Sequence, residues 1–356
     1  MEIKKIKFRK DSIQKSRLYV QIAFTLLCIW IGVEMYLFIG FLESGGSGTF
    51  FQRPPGVDGF LPISSLMSTF LFIKTGFIHN AHPAGVFIFL GIFLVSLLFG
   101  KSFCSWLCPV GFLSEILGDL GEKLFGRKIK IPKFLDYPLR SLKYLLLAFF
   151  LYSIFVAMSD TAIRVFLDSD YNKVADIKMY YFFADISRFS LIVVSILFFL
   201  SIPFRGFWCR YLCPYGAFLG IASLLSPNKI QRNAQSCTDC GLCTKVCPSN
   251  IKVHKLKTVI SDECTSCLTC VDVCPVKDTL NLNTLVVKKK FNKKFLAAAI
   301  VGIFMLVTGI GIITGKWQSN ISKEEYLYHQ PLLPTYGHPT DSKGLKELDE
   351  KEKEVR

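Results

Sequence analysis

Two cysteine runs of identical spacing constrain this chain more than any other feature. Residues 237–248 and 264–275 both read C-x2-C-x2-C-x3-C-P, which places four thiols within eleven positions in each run. This is the bacterial pattern for a pair of 4Fe-4S clusters, in which the fourth cysteine of each run ligates the other cluster. The spacing therefore predicts one cluster on Cys237, Cys240, Cys243 and Cys274, and a second cluster on Cys264, Cys267, Cys270 and Cys247.

A zinc module is the main alternative to an iron–sulfur pair. Structural zinc sites use four ligands arranged as two separated pairs, and triplets followed by Cys-Pro do not fit that arrangement. A disulfide framework does not fit either, because a reducing compartment keeps thiols reduced and the charge pattern below places these cysteines there. We therefore expect iron–sulfur clusters that transfer single electrons and that have no open position for a substrate.

Five apolar segments indicate an α-helical polytopic membrane protein. The chain has 356 residues, of which 51% are hydrophobic, and helices that cross about 30 Å of hydrocarbon need about 20 apolar residues. The first segment is too long for the core of a cleaved signal peptide, so we expect a retained anchor. The predicted spans are 18–41, 84–100, 143–158, 189–204 and 295–315.

The net charge of +15 is distributed as the topology of a membrane protein requires. Lys and Arg number 7 in residues 1–17, 8 in 101–143 and 14 in 205–294, and the intervening loops hold few. The positive-inside rule therefore predicts a prokaryotic cytoplasmic membrane protein with its N-terminus and cysteine runs in the cytoplasm and its tail outside. This pattern favours membrane lipid, and not nucleic acid, as the partner of the basic residues.

Four further cysteines form a second repeat. FCSWLCPVG (103–111) and WCRYLCPYG (208–216) share the pattern Cys-x3-Cys-Pro at an offset of 105 residues, and each follows a predicted span. The membrane part thus reads as a duplicated two-helix unit. Two half-cages from related units predict a third cluster on Cys104, Cys108, Cys209 and Cys213. Redox-active thiol pairs and a structural role at helix ends are the alternatives.

Glu34 is the one ionisable residue well inside a predicted span, where a carboxylate is costly and usually functional. With His79 and His82, near the outer end of the second span, it forms a hypothetical site for quinol binding and proton release. The alternatives are an interfacial position for Glu34 and surface positions for both histidines.

The predicted organisation has five parts. A small α+β ferredoxin-like domain that holds two clusters is inserted before the last span, and the polar tail is expected to be disordered or to fold on a partner. The parts are a basic cytoplasmic N-terminus (1–17), the membrane domain (18–225), the two-cluster domain (226–284), a linker with the last span (285–315) and the outer tail (316–356).

Two Cys-x3-Cys-Pro motifs followed by a two-cluster module resemble the NapH/NosR/CcoG group of membrane-bound 4Fe-4S polyferredoxins over roughly residues 18–280. FLPISSLMS (60–68), HPAG (82–85), LDYPLRSLKY (135–144), YNKVADIKM (171–179) and WCRYLCPYGAFLG (208–220) are most similar to a NapH-like branch. The resemblance implies electron transfer between the quinone pool and a partner redox protein or reductase, or assistance in the assembly of metalloenzymes. The last span and the tail depart from the simplest NapH pattern, which leaves the partner open.

The sequence has no Rossmann or flavin fingerprint and no catalytic triad pattern. We therefore expect an electron-transfer component, such as a subunit of a quinol dehydrogenase, and not a stand-alone enzyme. A maturation factor that reduces a metal or a thiol and a membrane redox sensor are the alternative functions.

Overall fold

The computed structural model describes residues 12–285 and 289–336. Most of the predicted basic N-terminus, and the part of the predicted outer tail beyond residue 336, lie outside the described residues.

The described chain is predominantly helical, with one small sheet. The α-helices are α1 (Gln14–Glu43), α2 (Pro62–Thr75), α3 (Pro83–Phe99), α4 (Phe103–Trp106), α5 (Pro109–Phe125), α6 (Lys133–Phe155), α7 (Asp160–Asp168), α8 (Asp170–Lys173), α9 (Ala175–Ala184), α10 (Arg188–Leu200), α11 (Pro214–Leu224), α12 (Leu242–Val246), α13 (Thr269–Val273), α14 (Leu296–Ile313) and α15 (Lys323–His329). The strands are β1 (Asn228–Arg232), β2 (Leu280–Thr284) and β3 (Lys289–Lys290).

Each of the five predicted spans contains most of an apolar helix. Three helices of the described chain are long and apolar enough to cross a membrane: α1, α6 and the helical segment Lys293–Ile313 that includes α14. Helices α9 and α10 also qualify as a pair, bent by 78° at a short break, and α3 is shorter, with 17 residues. The predicted helical membrane class is confirmed, and the count of five spans stays a prediction.

The chain divides into two compact units. The first contains residues 1–26, 92–147 and 192–304, and the second contains residues 27–91, 148–191 and 305–356. All the cysteines of the four motifs belong to the first unit.

The sheet of the first unit is antiparallel, in the order β1-β2-β3. Its register pairs Asn228 with Thr284 and Arg232 with Leu280, so that the strands flanking the cysteine runs in sequence lie side by side. Ile230 and Leu282 face each other at the centre of this pairing and are buried, because alternate residues of a strand point to the same face. The pairing closes the ferredoxin domain around the two runs.

Asp272 joins three segments of the first unit. Its carboxylate is fully buried in α13 and accepts hydrogen bonds from the Ile13 backbone N–H (3.0 Å), the Gln14 side-chain amide (2.9 Å) and Lys293 Nζ (2.7 Å). The beginnings of the first and last membrane helices therefore attach to the same ferredoxin helix. A buried carboxylate is tolerated because these hydrogen-bond donors, one of them the charged Lys293, surround it.

The second unit contains a buried network of charged groups. The Arg53 guanidinium donates to Asp176 and Asp58, which have no exposed surface. His82 contacts Asp58 through Nδ1 (3.1 Å) and donates from Nε2 to the carbonyl oxygen of Asn172 (2.6 Å). Every charge therefore has a hydrogen-bonded partner, as a buried charge requires.

The described part of the tail is ordered within the second unit, and the expectation of disorder is wrong there. Helix α15 begins at a Ser322 cap, whose hydroxyl accepts from Glu325 N–H. Tyr326 packs edge-on against Phe38 at 5.2 Å, and His329 is buried with its Nδ1 2.6 Å from the Tyr336 hydroxyl. Aromatic side chains spaced along a polar segment supply the burial that stabilises it.

Replacing Asp58 with alanine should destabilise the protein by about 3–5 kcal/mol, because the variant leaves the Arg53 guanidinium buried beside fewer acceptors. Lys74→Ala is the control: it breaks an ion pair with Asp160 whose side chains are 45% and 54% exposed, and such pairs contribute about 1 kcal/mol or less. Thermal denaturation of the purified protein in detergent compares the two. Equal, small shifts in the midpoint would show that the network is not a stabilising element.

Candidate metal centres

The loops of the two cysteine runs share an unusual backbone. Asp239 and Gly241 in the first run have φ of 50° and 69°, and Ser266 and Leu268, 27 positions later, have φ of 48° and 57°. Left-handed conformations are costly for residues other than glycine and persist only where the surrounding structure requires them. The two runs therefore turn in the same way at corresponding positions.

Cys237, Cys240, Cys243 and Cys274 line one cavity, which we call the first ferredoxin cavity. Its lining combines three cysteines of the first run with the last cysteine of the second run. Cys243 and Cys274 are buried, Cys237 is half-buried and Cys240 is exposed. This cavity therefore opens towards solvent at one of its four thiols.

Cys247, Cys264, Cys267 and Cys270 line another cavity, the second ferredoxin cavity. Here the last cysteine of the first run joins three cysteines of the second. Three of the thiols are buried, and burial raises the pKa of Cys264 to about 12. The two cavities contain the same two sets of four cysteines that the spacing predicts, and the donor set suits 4Fe-4S clusters, which are held by four thiolates.

The Cys-Pro motifs end in two matching helix caps. Cys108 caps α5 and Cys213 caps α11, each with proline in the first turn of the helix. The Cys108 sulfur accepts from Gly111 N–H at 3.4 Å, and the Cys213 sulfur accepts from Gly216 N–H at 3.2 Å. A helix N-terminus favours negative charge, so both caps stabilise a thiolate or an anionic group bound to it.

A third cavity, the Cys-Pro cavity, has a volume of about 110 Å³ and is lined by Cys104 and Cys209 but not by Cys108 or Cys213. Burial raises the pKa of Cys104 to about 11, with Lys101 acting in the opposite direction and Cys213 in the same direction. Burial, with Cys213 and Cys104 acting in the same direction, likewise raises the pKa of Cys209 to about 12. The thiols of both motifs are therefore close enough to interact electrostatically.

Four cations line the Cys-Pro cavity and were not predicted from the sequence: Arg17, Lys101, Arg205 and Arg210. Lys101 is 3% exposed and makes no hydrogen bond from its ammonium group to any residue of the described ranges. Although burial lowers the pKa of Lys101, the neighbouring Cys104 and Glu263 outweigh that effect and raise it above its usual value. Lys101 therefore places a buried positive charge beside the thiols of both motifs.

The Cys-Pro cavity and the second ferredoxin cavity share part of their lining. Cys267, Pro248, Ser249 and Thr265 line both. The first Cys-Pro motif also forms hydrogen bonds with the loop of the second run. Ser105 Oγ donates to the Thr265 carbonyl oxygen at 2.6 Å, and Trp106 Nε1 donates to the Ser266 carbonyl oxygen at 3.2 Å. The duplicated motifs and the ferredoxin domain therefore form one continuous cysteine-rich region.

Among the residues that the structure describes, no three His, Cys, Asp or Glu side chains converge on a position suited to a single metal ion. The cysteines line the cavities instead, spread around each one.

The three residues of the hypothetical quinone site have separate partners. Glu34 accepts from Trp30 Nε1 at 3.0 Å, one turn away on the same helix. His79 contacts Asp168 through Nε2 at 2.8 Å, and His82 belongs to the buried network of the second unit. The two histidines are 7% and 1% exposed, so the surface positions considered as an alternative do not apply.

Comparisons with known proteins match both cysteine regions. A family model described as a 4Fe-4S binding domain matches residues 81–132 and 189–233, which contain the Cys-Pro motifs, and a 4Fe-4S dicluster domain matches residues 229–275. No solved structure matches the chain significantly.

Several curated proteins are similar to this chain. YccM of Escherichia coli K12, which is named as an electron transport protein, is 44% identical over 89% of this chain and 90% of its own length. The ferredoxin-type protein MauN of Methylobacillus flagellatus is 26% identical over 58% of this chain and 65% of its own length. The regulatory protein NosR of Pseudomonas aeruginosa is 32% identical over 42% of this chain and 21% of its own length. The chain therefore belongs to the NapH/NosR-type family of 4Fe-4S polyferredoxins, which are iron–sulfur electron transport proteins.

Proposed function

We propose that this protein relays electrons between the quinone pool of the membrane and a partner redox protein. The observation that carries the proposal is the wall shared by the Cys-Pro cavity and the second ferredoxin cavity, with Cys267 in both linings. When bound in these cavities, 4Fe-4S clusters supply reversible one-electron transfer. The chain's own residues hold the clusters, offset their charge and limit the access of water.

The ligand assignment follows the linings of the cavities. Cys237, Cys240, Cys243 and Cys274 hold one cluster, and Cys247, Cys264, Cys267 and Cys270 hold the second. The left-handed loop residues aim three thiols of each run inwards, and the antiparallel pairing of β1 with β2 keeps the two runs together. The exchange of the fourth cysteine between the runs ties the two sites into one unit.

A third cluster on Cys104, Cys108, Cys209 and Cys213 is the form of the Cys-Pro site that the surroundings support best. The caps of α5 and α11 aim two helix N-termini at the sulfurs of Cys108 and Cys213. Lys101 adds a positive charge that a protonated thiol pair would not need. A 4Fe-4S cluster with four thiolate ligands is an anion, so the cation and both helix ends would stabilise it.

For the quinone site, Glu34, His79 and His82 remain the proposed residues. His79 and His82 each contact a carboxylate, Asp168 or Asp58, and such a pair can hold a proton taken from a quinol. The distribution of basic residues supports a cytoplasmic location of the two-cluster domain (226–284), and the remaining domain boundaries stay as predicted above.

The third cluster can be tested by counting iron. The wild-type protein, purified without oxygen, should contain about twelve iron atoms per chain, and Cys104→Ser with Cys209→Ser should contain about eight, because each cubane holds four. Cys28→Ser, which removes a cysteine outside the four motifs, should keep about twelve. Iron and sulfide analysis with EPR measures the difference. About eight irons in all three proteins would eliminate the third cluster.

Removal of iron should expose thiols of unequal reactivity. Because the thiolate is the reactive form, iodoacetamide at pH 8 should modify exposed Cys240 quickly, and Cys104 and Cys209 slowly, since burial raises their pKa values to about 11 and about 12. Their rates should rise about tenfold per pH unit below those pKa values. Peptide mass spectrometry follows each site, and the iron-loaded protein serves as the control in which the ligands are protected. Equal rates at pH 8 would contradict the assignment of buried thiols.

Quinol coupling can be tested in lipid vesicles without oxygen. A menaquinol analogue should reduce the protein, and Glu34→Gln should slow this reduction by about tenfold or more if Glu34 accepts a proton from the quinol. Glu43→Gln is the matched control, because Glu43 ends the same helix and its carboxylate binds the Tyr181 hydroxyl (2.7 Å). The visible absorbance of the clusters and EPR report reduction. If quinol fails while the reduced protein reduces Cu(II) or a protein disulfide, the maturation function replaces the relay.

A further inference from the structure

The first ferredoxin cavity is the part of the cysteine-rich region that reaches the surface. Among the twelve cysteines of the four motifs, all of which the structure describes, Cys240 is the exposed one. In the second ferredoxin cavity Cys247, Cys267 and Cys270 are buried, and Cys264 is half-buried. A protein that exchanges electrons with this chain from solution therefore has its nearest approach at Cys240.

Basic residues border this opening. Arg232 and His254 line the first ferredoxin cavity together with Cys240. The segment that contains His254 lies against β1, because Arg232 N–H donates to the Lys257 carbonyl oxygen (2.8 Å) and Arg232 Nε donates to the Leu256 carbonyl oxygen (3.1 Å). We call Arg232 and the exposed residues Lys252, Lys255 and Lys257 the basic rim.

The positive charge of the basic rim is not cancelled locally. His254 holds the segment in place through Nδ1, which lies 2.7 Å from the Thr244 hydroxyl on α12. Asp239 is an exposed acidic residue between the ligands of the first run, and the nearby Asp278 pairs with Lys290. Arg232 and the three exposed lysines on the segment of His254, which lines the first ferredoxin cavity, outnumber these acidic residues, so this segment carries a net positive charge beside the cavity.

We propose that the basic rim docks an electron-transfer protein that presents an acidic face, and that electrons pass between the two proteins at the Cys240 side of the first ferredoxin cavity. This inference rests on the proposed relay function and adds the surface and the charge of the partner. Complementary charge accelerates encounter and fixes orientation, while the contact stays weak enough to release the partner after transfer.

Anionic lipid headgroups are the competing occupant, since lysines near a membrane also bind lipid. The position of the rim favours a protein: Arg232 lines the same cavity as the exposed Cys240, and a bilayer placed there would block the approach of any soluble redox partner. The two occupants predict different responses to lipid composition, which the experiment below uses.

The test measures how fast small oxidants of opposite charge oxidise the reduced protein. One electron leaves the protein and converts ferricyanide to ferrocyanide, or tris(phenanthroline)cobalt(III) to cobalt(II), and no bond or proton is exchanged. Lys252→Glu with Lys255→Glu and Lys257→Glu should slow oxidation by ferricyanide about tenfold or more and should accelerate oxidation by the cobalt complex. Both effects should shrink between about 0.01 M and about 1 M salt, where screening shortens from about 30 Å to about 3 Å.

Two controls separate charge from structure. Replacing the same three lysines with arginine retains the charge and should retain both wild-type rates, and Lys255→Gln with Lys257→Gln should shift both rates in the same directions by a smaller factor. Polyaspartate, a redox-inert acidic polypeptide, should slow the ferricyanide reaction of the wild-type protein but not that of the glutamate variant. Iron content and EPR of each variant are measured first, so that loss of clusters in a variant is distinguished from loss of docking; failure of the quinol test above, and not a change in these rates, would count against the relay.

Two results would overturn the docking surface. One is that intact clusters in the glutamate variant react with both oxidants at wild-type rates. The other is that the effect of the substitutions is present in nanodiscs of neutral phosphatidylcholine and absent in nanodiscs containing phosphatidylglycerol, because the rim would then lie on the bilayer.

Discussion

The need to hold negative charge in a poorly hydrated place governs this molecule. A cysteine must be a thiolate to bind iron, and burial disfavours that form at Cys104 and Cys264, whose pKa values it raises to about 11 and about 12. Fixed positive charge offsets the negative charge of the thiolates. It comes from the helix N-termini at Cys108 and Cys213 and from the buried ammonium group of Lys101. The cavities, the short helices and the tight loops are arranged around that requirement.

The two halves of the cysteine-rich region differ in where their supporting residues lie in the sequence. The ferredoxin runs are shaped by residues inside the runs themselves, whose backbone has positive φ. A short sequence pattern is therefore sufficient to recognise them. The Cys-Pro motifs also depend on residues far away in sequence, such as Arg17 and Glu263, which a Cys-x3-Cys-Pro pattern does not include. A motif scan therefore detects the thiols of this site and misses the charges around them.

The spacing of the cysteines predicted both four-cysteine sets, and the apolar segments predicted the principal helices, because these features are encoded within a few turns of chain. Lys101, Asp272 and the buried pairing of Lys143 with Glu263 could not be predicted in the same way, since each depends on a contact between residues distant in sequence. Leu268 was detectable: it occupies the position of Gly241 in the repeat, so the same left-handed backbone applies. His329 lies in a polar segment of the sequence, and it is buried because Tyr328 and Tyr336 pack against it.

The attachment of two helix beginnings to Asp272 has a consequence for how the chain threads the bilayer. Helices α1 and α14 both leave the same ferredoxin helix and both run away from it. If each of them crosses, the chain between them must return across the bilayer one more time than it departs. The total number of crossings is then odd, so three or five crossings are permitted and four are not. If α6 also crosses, the 17-residue helix α3 and the bent pair α9–α10 either both cross or both do not.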